Sequence, residues 1–191
     1  RHERLRNGTP VLIRAIRPDD RARIIAAFHK LDPQTIYTRF FSAKKELNED
    51  DLGRIDRSDF VHAAVLVATL GSGDNEVIIG GGAYTVLDRG DGVPTAEVSF
   101  TIEEDYQGQG LSSLFMRLLA EIARERGIRR FEAEVLAGNT PMLKVFQHSG
   151  LPMRKHSEDG VVHVEMDVVP PANAPTDPPD SGTGPATEAP G

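Results

Sequence analysis

Leu111, Leu114, Phe115, Leu118, Leu119 and Ile122 fall at i, i+3, i+4, i+7, i+8 and i+11, the spacing of one face of a helix over residues 111–126. A stripe that continuous has to pack on a sheet, and strand-like runs flank it. Residues 95–102 alternate Ala96, Val98, Phe100 and Ile102 against Glu97, Ser99 and Thr101, and residues 131–136 form a second run. Gly127 ends the helix between them. A strand, helix and strand joined in this way predict parallel strands with a right-handed crossover.

Upstream, residues 11–16 alternate as a short strand. Pro18, Asp19 and Asp20 open a helix carrying Ile24, Ile25, Phe28 and Leu31 on one face, and Asp32-Pro33 restarts a second through Ile36, Tyr37, Phe40 and Phe41. A third, over residues 48–55, begins with Glu49, Asp50 and Asp51, where the positive helix end favours acids. Residues 60–70 and 76–87 form a hairpin about Gly71 to Asn75. Downstream, Asn139 caps a short helix through Phe146 to Gly150, and residues 153–157 and 161–169 pair around Asp159-Gly160. The order βααα-βββαβαββ describes an α/β protein of the α+β kind, a mixed sheet flanked by helices. Residues 170–191 hold seven of the thirteen prolines and almost nothing to bury, so they are expected to be a disordered tail on a single domain spanning residues 1–169.

Composition narrows the function. With 39% hydrophobic and 27% charged residues, and no apolar run near the roughly 20 residues of a membrane helix, the chain is expected to be globular and not membrane-spanning. Residues 1–12 are polar and broken by Gly8 and Pro10, unlike a secretory signal, so cytoplasm is the default. The chain opens on Arg1 and not on methionine, which is compatible with a piece of something longer and leaves the question open. There is no cysteine, hence no disulfide or thiolate chemistry. The net charge is −7, and the tail contributes Asp177, Asp180 and Glu188 with no base, which opposes a nucleic-acid partner. Arg124, Arg126, Arg129 and Arg130 form a basic cluster that suits a helix C-terminus, with one of them as an alternative contact for the 3′-phosphate of a nucleotide carrier.

The chemistry concentrates between the first parallel strand and the long helix, at Gln107-Gly108-Gln109-Gly110-Leu111-Ser112-Ser113. A Gly-x-Gly turn opening a helix presents bare N–H groups and the positive end of the dipole to a phosphate, although the same glycines also suit a merely tight turn. No lysine follows and Ser113 stands where a dinucleotide loop has its third glycine, so ATP and NAD sites are disfavoured.

Over residues 11–169 the chain resembles the GNAT N-acetyltransferase superfamily, whose signature Gln/Arg-x-x-Gly-x-Gly/Ala is met by Gln107, Gly110 and, at the last place, Ser112. The resemblance implies a central mixed sheet whose two parallel strands splay to admit acetyl-CoA. The pyrophosphate would lie on the amides from Gln107 to Ser113, and the pantetheine arm beside Phe100, Thr101 and Ile102 and against Asn139 and Phe146. Asn139 also serves as a helix cap. Segments 31–41 and 96–100 look like those of bacterial GNAT protein lysine acetyltransferases, which implies a lysine acceptor and, in the helical region, acceptor contacts from Tyr37 and Arg39. A homodimer is compatible with this likeness.

Acetyl transfer to an amine needs the amine neutral, and a free lysine has a pKa near 10.4, so a base must take its proton. Glu97, an acid in an otherwise apolar strand ending at the cofactor turn, is the candidate, and burial is expected to ready it for the task. One departure stands out: where many members have a tyrosine that protonates the leaving thiolate, this chain has Phe146, in the run Phe146-Gln147-His148-Ser149-Gly150-Leu151. A non-catalytic acyl-CoA-binding module and a small-amine acetyltransferase are therefore carried as alternatives. No metal is assigned, since His2, His29, His62, His156 and His163 lack the i, i+4 or acid-flanked spacing of a site along the chain. Nor is there a Gly-x-Ser-x-Gly elbow for hydrolysis.

Overall fold

The computed structural model describes residues 1–56 and 58–168, with the side chains of residues 54–56 left aside. The expected tail at 170–191 and the last residue of the final strand lie outside the described residues.

Among the described residues eight strands form one sheet in the order β1-β2-β3-β4-β5-β6-β8-β7, comprising β1 (His2–Arg4), β2 (Pro10–Ala15), β3 (Ala63–Leu70), β4 (Val77–Leu87), β5 (Thr95–Ile102), β6 (Arg130–Leu136), β7 (Met153–Glu158) and β8 (Val161–Asp167). Among the described residues only β5 and β6 pair in parallel, around the crossover helix α4 (Leu111–Glu125), and the other neighbours are antiparallel. The remaining helices are α1 (Arg21–Phe28), α2 (Pro33–Phe40), α3 (Glu49–Asp56) and α5 (Thr140–Gln147). The mixed sheet expected from the sequence is present, with one strand added: β1, three residues long, pairs with β2 and escaped notice because so short a run has no period to read. Strand β3 starts at Ala63 instead of residue 60, since Phe60 takes a left-handed φ of 58° and the Asp59 carboxylate accepts from the N–H groups of Val61 and His62.

The apolar stripe of α4 is the centre of the core: Leu111, Phe115, Leu119 and Ala123 are at most 1% exposed. The helix sits unusually close to β4 because that strand carries Gly80, Gly81 and Gly82. A Cβ on Gly82 would come within 2.8 Å of the Phe115 Cβ, so only glycine allows this approach. On the other side of the sheet, Asp32 caps α2 by accepting from the Thr35 N–H at 2.8 Å, with Pro33 at the first helical position.

A buried ion cluster fixes the first part of the chain. Arg14 on β2 forks onto Asp20 at 2.6 and 2.8 Å, and its Nε donates to Glu76 at 3.0 Å, with all three side chains at most 8% exposed. The Asp20 carboxylate also accepts from the Arg17 N–H at 2.8 Å, so the strand, the start of α1 and the approach to β4 are tied at one point.

Candidate active site

Strands β5 and β6 pair at Thr95–Arg130, Ala96–Phe131 and Glu97–Glu132 and then part, although β5 continues to Ile102 and β6 to Leu136. Main-chain groups of β5 on that side are thus left without a strand partner, available to the amides of an extended ligand. The gap is a cleft of about 820 Å³, inside the ~300–1,000 Å³ typical of small-molecule sites.

The glycine turn closes one end of it. Gly108 and Gly110 both have positive φ, 69° and 95°, and Gly110 caps α4 in the left-handed conformation. A Cβ on Gly108 would meet nothing within 4 Å, so the demand for glycine there is conformational and the space above the turn is open. The first helical bond is Leu114 N–H to the Gly110 carbonyl at 3.0 Å, which leaves the N–H groups of Leu111, Ser112 and Ser113 without acceptors in the helix. Free amides at a dipole's positive end, with the cationic Arg6 side chain beside Gly110, suit a pyrophosphate. The Gln107 N–H is not open to a ligand in the same way, because it is already given to the Glu104 carbonyl at 3.1 Å.

Most of the residues singled out from the sequence line this cleft: Glu97, Phe100, Thr101 and Ile102 on β5, then Gln107, Gly108, Gly110, Leu111, Ser112 and Ser113 at the turn, and across the gap Asn139 and Phe146, with Arg39 at the α2 side. Asn139 also accepts from the Met142 N–H at 3.3 Å as the cap of α5, so both its expected roles are compatible. Phe146 is 1% exposed and rests on Phe100 with ring centroids 6.0 Å apart, forming part of the floor. Gln107 ties the end of β5 to α2 through its amide, which donates to the Ile102 carbonyl at 3.0 Å and the Thr35 hydroxyl at 3.2 Å.

Three placements depart from expectation. Gln109 is turned away from the cleft, its carbonyl and side-chain oxygen accepting from the N–H groups of Arg6 and Asn7. Tyr37 is 46% exposed and does not line the cleft. Glu97 is exposed within it, not buried, because the parting of the strands opens its side of β5. The basic cluster at Arg124 to Arg130 lies at the far end of α4, where Arg124 donates to the Val168 carbonyl and Arg130 to Asp91. Cations that do line the cleft are Arg6, Arg39 and Lys144, an arrangement that offsets the net charge of −7 where a polyanionic carrier would sit. Arg6 was invisible in the sequence, since its contact with the turn, Nη1 to the Gly108 carbonyl at 3.3 Å, spans 102 residues. Lys144 had no signal beyond its place on the helix face.

A splayed pair of parallel strands, an amide cradle at the start of the crossover helix and an acid at the point of parting define an acyl-carrier-binding transferase fold. The protein-family model for the acetyltransferase (GNAT) family matches residues 31–151. The chain is 30% identical over 176 residues to Acetyltransferase Pat of Mycolicibacterium smegmatis, covering 91% of this chain and 50% of that protein, so it spans about half the length of that relative. It is 31% identical over 141 residues to Acetyltransferase PA5475 of Pseudomonas aeruginosa, covering 73% of this chain and 74% of that one. Among solved structures, the GNAT domain of S. lividans PAT superposes with a TM-score of 0.78 at 36% identity, over 87% of this chain and 96% of that domain. The fold is shared with yncA of Salmonella typhimurium, solved with acetyl-CoA, at a TM-score of 0.66 and 16% identity, over 85% and 96% of the two chains. The chain belongs to the acetyltransferase (GNAT) family. Among the described residues no helix is long and apolar enough to cross a membrane.

Proposed function

We propose that this domain acetylates the side-chain amine of protein lysines, with Glu97 as general base. The observation that carries the proposal is the position of Glu97: it stands at the last paired register of β5 and β6 and lines the same cleft as the amide cradle. A thioester seated with its diphosphate on the turn brings an activated acetyl carbonyl into the cleft. Glu97 takes the proton of the incoming ammonium directly or through one water, which leaves the nitrogen lone pair free to attack that carbonyl. The C–S bond then breaks and the sulfur departs as a thiolate. Phe146 holds no proton to give, so the thiolate takes its proton from solvent entering the open cleft. The protein acceptor is supported by the likeness to Pat and to the GNAT domain of S. lividans PAT, and by the net charge of −7, which favours approach of a cationic lysine.

The test is to supply acetyl-CoA with a panel of folded bacterial proteins and, separately, with free amines, following CoA release and locating acetyl groups by mass spectrometry. Acetylation confined to specific lysines of one or a few proteins is the expected result. Turnover with free amines alone would remove the protein acceptor while keeping the transferase.

A further inference from the structure

On the outer strands of the sheet, the hairpin β7–β8 sets His156 directly opposite His163, and their rings stack with centroids 4.7 Å apart and planes 11° from parallel. Glu158 lies two residues along β7 and so projects from the same face. One donor atom from each of His156, Glu158 and His163 falls within 4.8 Å of the other two. From the neighbouring strand, Glu134 is the register partner of His163, and its Oε1 lies 3.4 Å from the His163 Nδ1.

Two imidazole nitrogens and one carboxylate oxygen make a His₂Glu donor set, which suits zinc and other borderline divalent ions better than magnesium or calcium. The Glu134 contact supplies what a ligating imidazole usually has, a carboxylate on its other nitrogen that fixes the tautomer and leaves Nε2 free for a metal. Bonds of about 2.0–2.2 Å in a tetrahedral site imply donor separations of roughly 3.3–3.6 Å. Closing from the present spacing is a matter of side-chain rotation, and His156 and Glu158 are exposed. Histidines seven positions apart suggest nothing along the chain. The antiparallel register alone brings them together.

We propose that His156, His163 and Glu158 bind one divalent ion, zinc being the fitting one, which staples β7 to β8 beside the cleft. The ion takes no part in acyl transfer. Its connection to the cleft is mechanical: Glu134 and Gly160 both line the cleft, and the Gly160 carbonyl accepts from the Ala137 N–H at 2.9 Å, so the hairpin turn is tied to the β6–α5 loop.

The experiment is calorimetric titration of Zn²⁺ into untagged, chelator-stripped protein, with thermal melts in parallel. Metal-free melting is recorded first for each variant, and His163→Gln replaces His163→Ala if alanine loosens the hairpin. One ion per chain is expected, with affinity lowered at least tenfold in His156→Ala and in the His163 variant. Affinity is expected to be retained in His62→Ala, which removes the separate His62–Asp59 contact at 2.7 Å. Zinc raises the melting temperature of the native chain and leaves that of the two hairpin variants unmoved. Absence of zinc heat, or affinity within twofold of native in both hairpin variants, overturns the site.

Discussion

Glu97 faces Glu132 at the final paired register of β5 and β6, and Arg89 bonds to Glu132, through Nη2 at 2.5 Å and Nε at 3.1 Å, while reaching Glu97 only through its charge. Among the described residues no hydrogen bond or ion pair reaches the Glu97 carboxylate. A free carboxylate at the mouth of a cleft can accept a proton without first breaking a bond. Glu97→Gln is therefore expected to lower kcat by about 10² to 10⁴ while leaving the calorimetric affinity for acetyl-CoA within twofold, because the amide keeps the shape and loses the basicity. A variant with native kcat would move the base elsewhere.

The cradle makes a different prediction. Gly110→Ala puts a Cβ on a residue at φ 95°, a conformation costing an ordinary residue about 1–2 kcal/mol. The strain is relieved by rotating the peptide that aims the first amides of α4, so acetyl-CoA affinity is expected to fall tenfold or more while kcat at saturating co-substrate stays near native. An unchanged dissociation constant would show that these amides do not hold the diphosphate.

How far the chain announced all this depends on the range of the interaction involved. The period of Leu111 to Ile122, the alternation of 95–102 and the two positive-φ glycines are local signals, and each led to its element or to the open turn before α4. Glu97 was legible as an acid among apolar neighbours, but its exposure was not, because exposure is created by β6 leaving after Glu132. Arg6 on the turn and His156 beside His163 are products of tertiary register that no window of sequence contains.

Acid is expected to unfold the domain through the Arg14 cluster. Burial works to raise the Asp20 pKa, but hydrogen bonds from Arg14 and the Arg17 N–H outweigh it and hold the carboxyl below its ordinary value. The Arg14 hydrogen bond lowers Glu76 likewise. Two carboxylates depressed in the fold contribute stability that is complete above their unfolded pKa values, near 4, and is lost as pH falls through the lower folded values. Urea midpoints measured from pH 7 to 3 are expected to drop below about pH 4, and Glu76→Gln to flatten that slope.

Removing the guanidinium tests the same cluster at constant pH. Arg14→Met removes the only cation shown bonded to Glu76 and leaves Asp20, fully buried, with the partly exposed Arg23 at 3.4 Å as its remaining ion-pair partner, and breaking a buried arrangement of this kind costs about 3–5 kcal/mol. Chemical denaturation at pH 7 is the measurement, and a loss below about 1 kcal/mol would mean that water reaches the cluster, as at surface pairs.

Tyr84 on β4 gives the opposite sign. The ring is 1% exposed and packs 5.9 Å from that of Phe131, yet its hydroxyl finds no hydrogen-bond partner among the described residues, and burial holds its pKa above the usual tyrosine value. A neutral hydroxyl buried without an acceptor has given up its water and gained nothing, a penalty of about 1–3 kcal/mol. Tyr84→Phe deletes that penalty and leaves a cavity of one oxygen atom, so the two effects oppose and the desolvation relief is the larger. The variant is expected to melt at or above the native temperature, with acetyl-CoA affinity unchanged because Tyr84 does not line the cleft. Destabilisation by more than about 1 kcal/mol would reveal a bound water satisfying the hydroxyl, since the loss of a good hydrogen bond costs about that much.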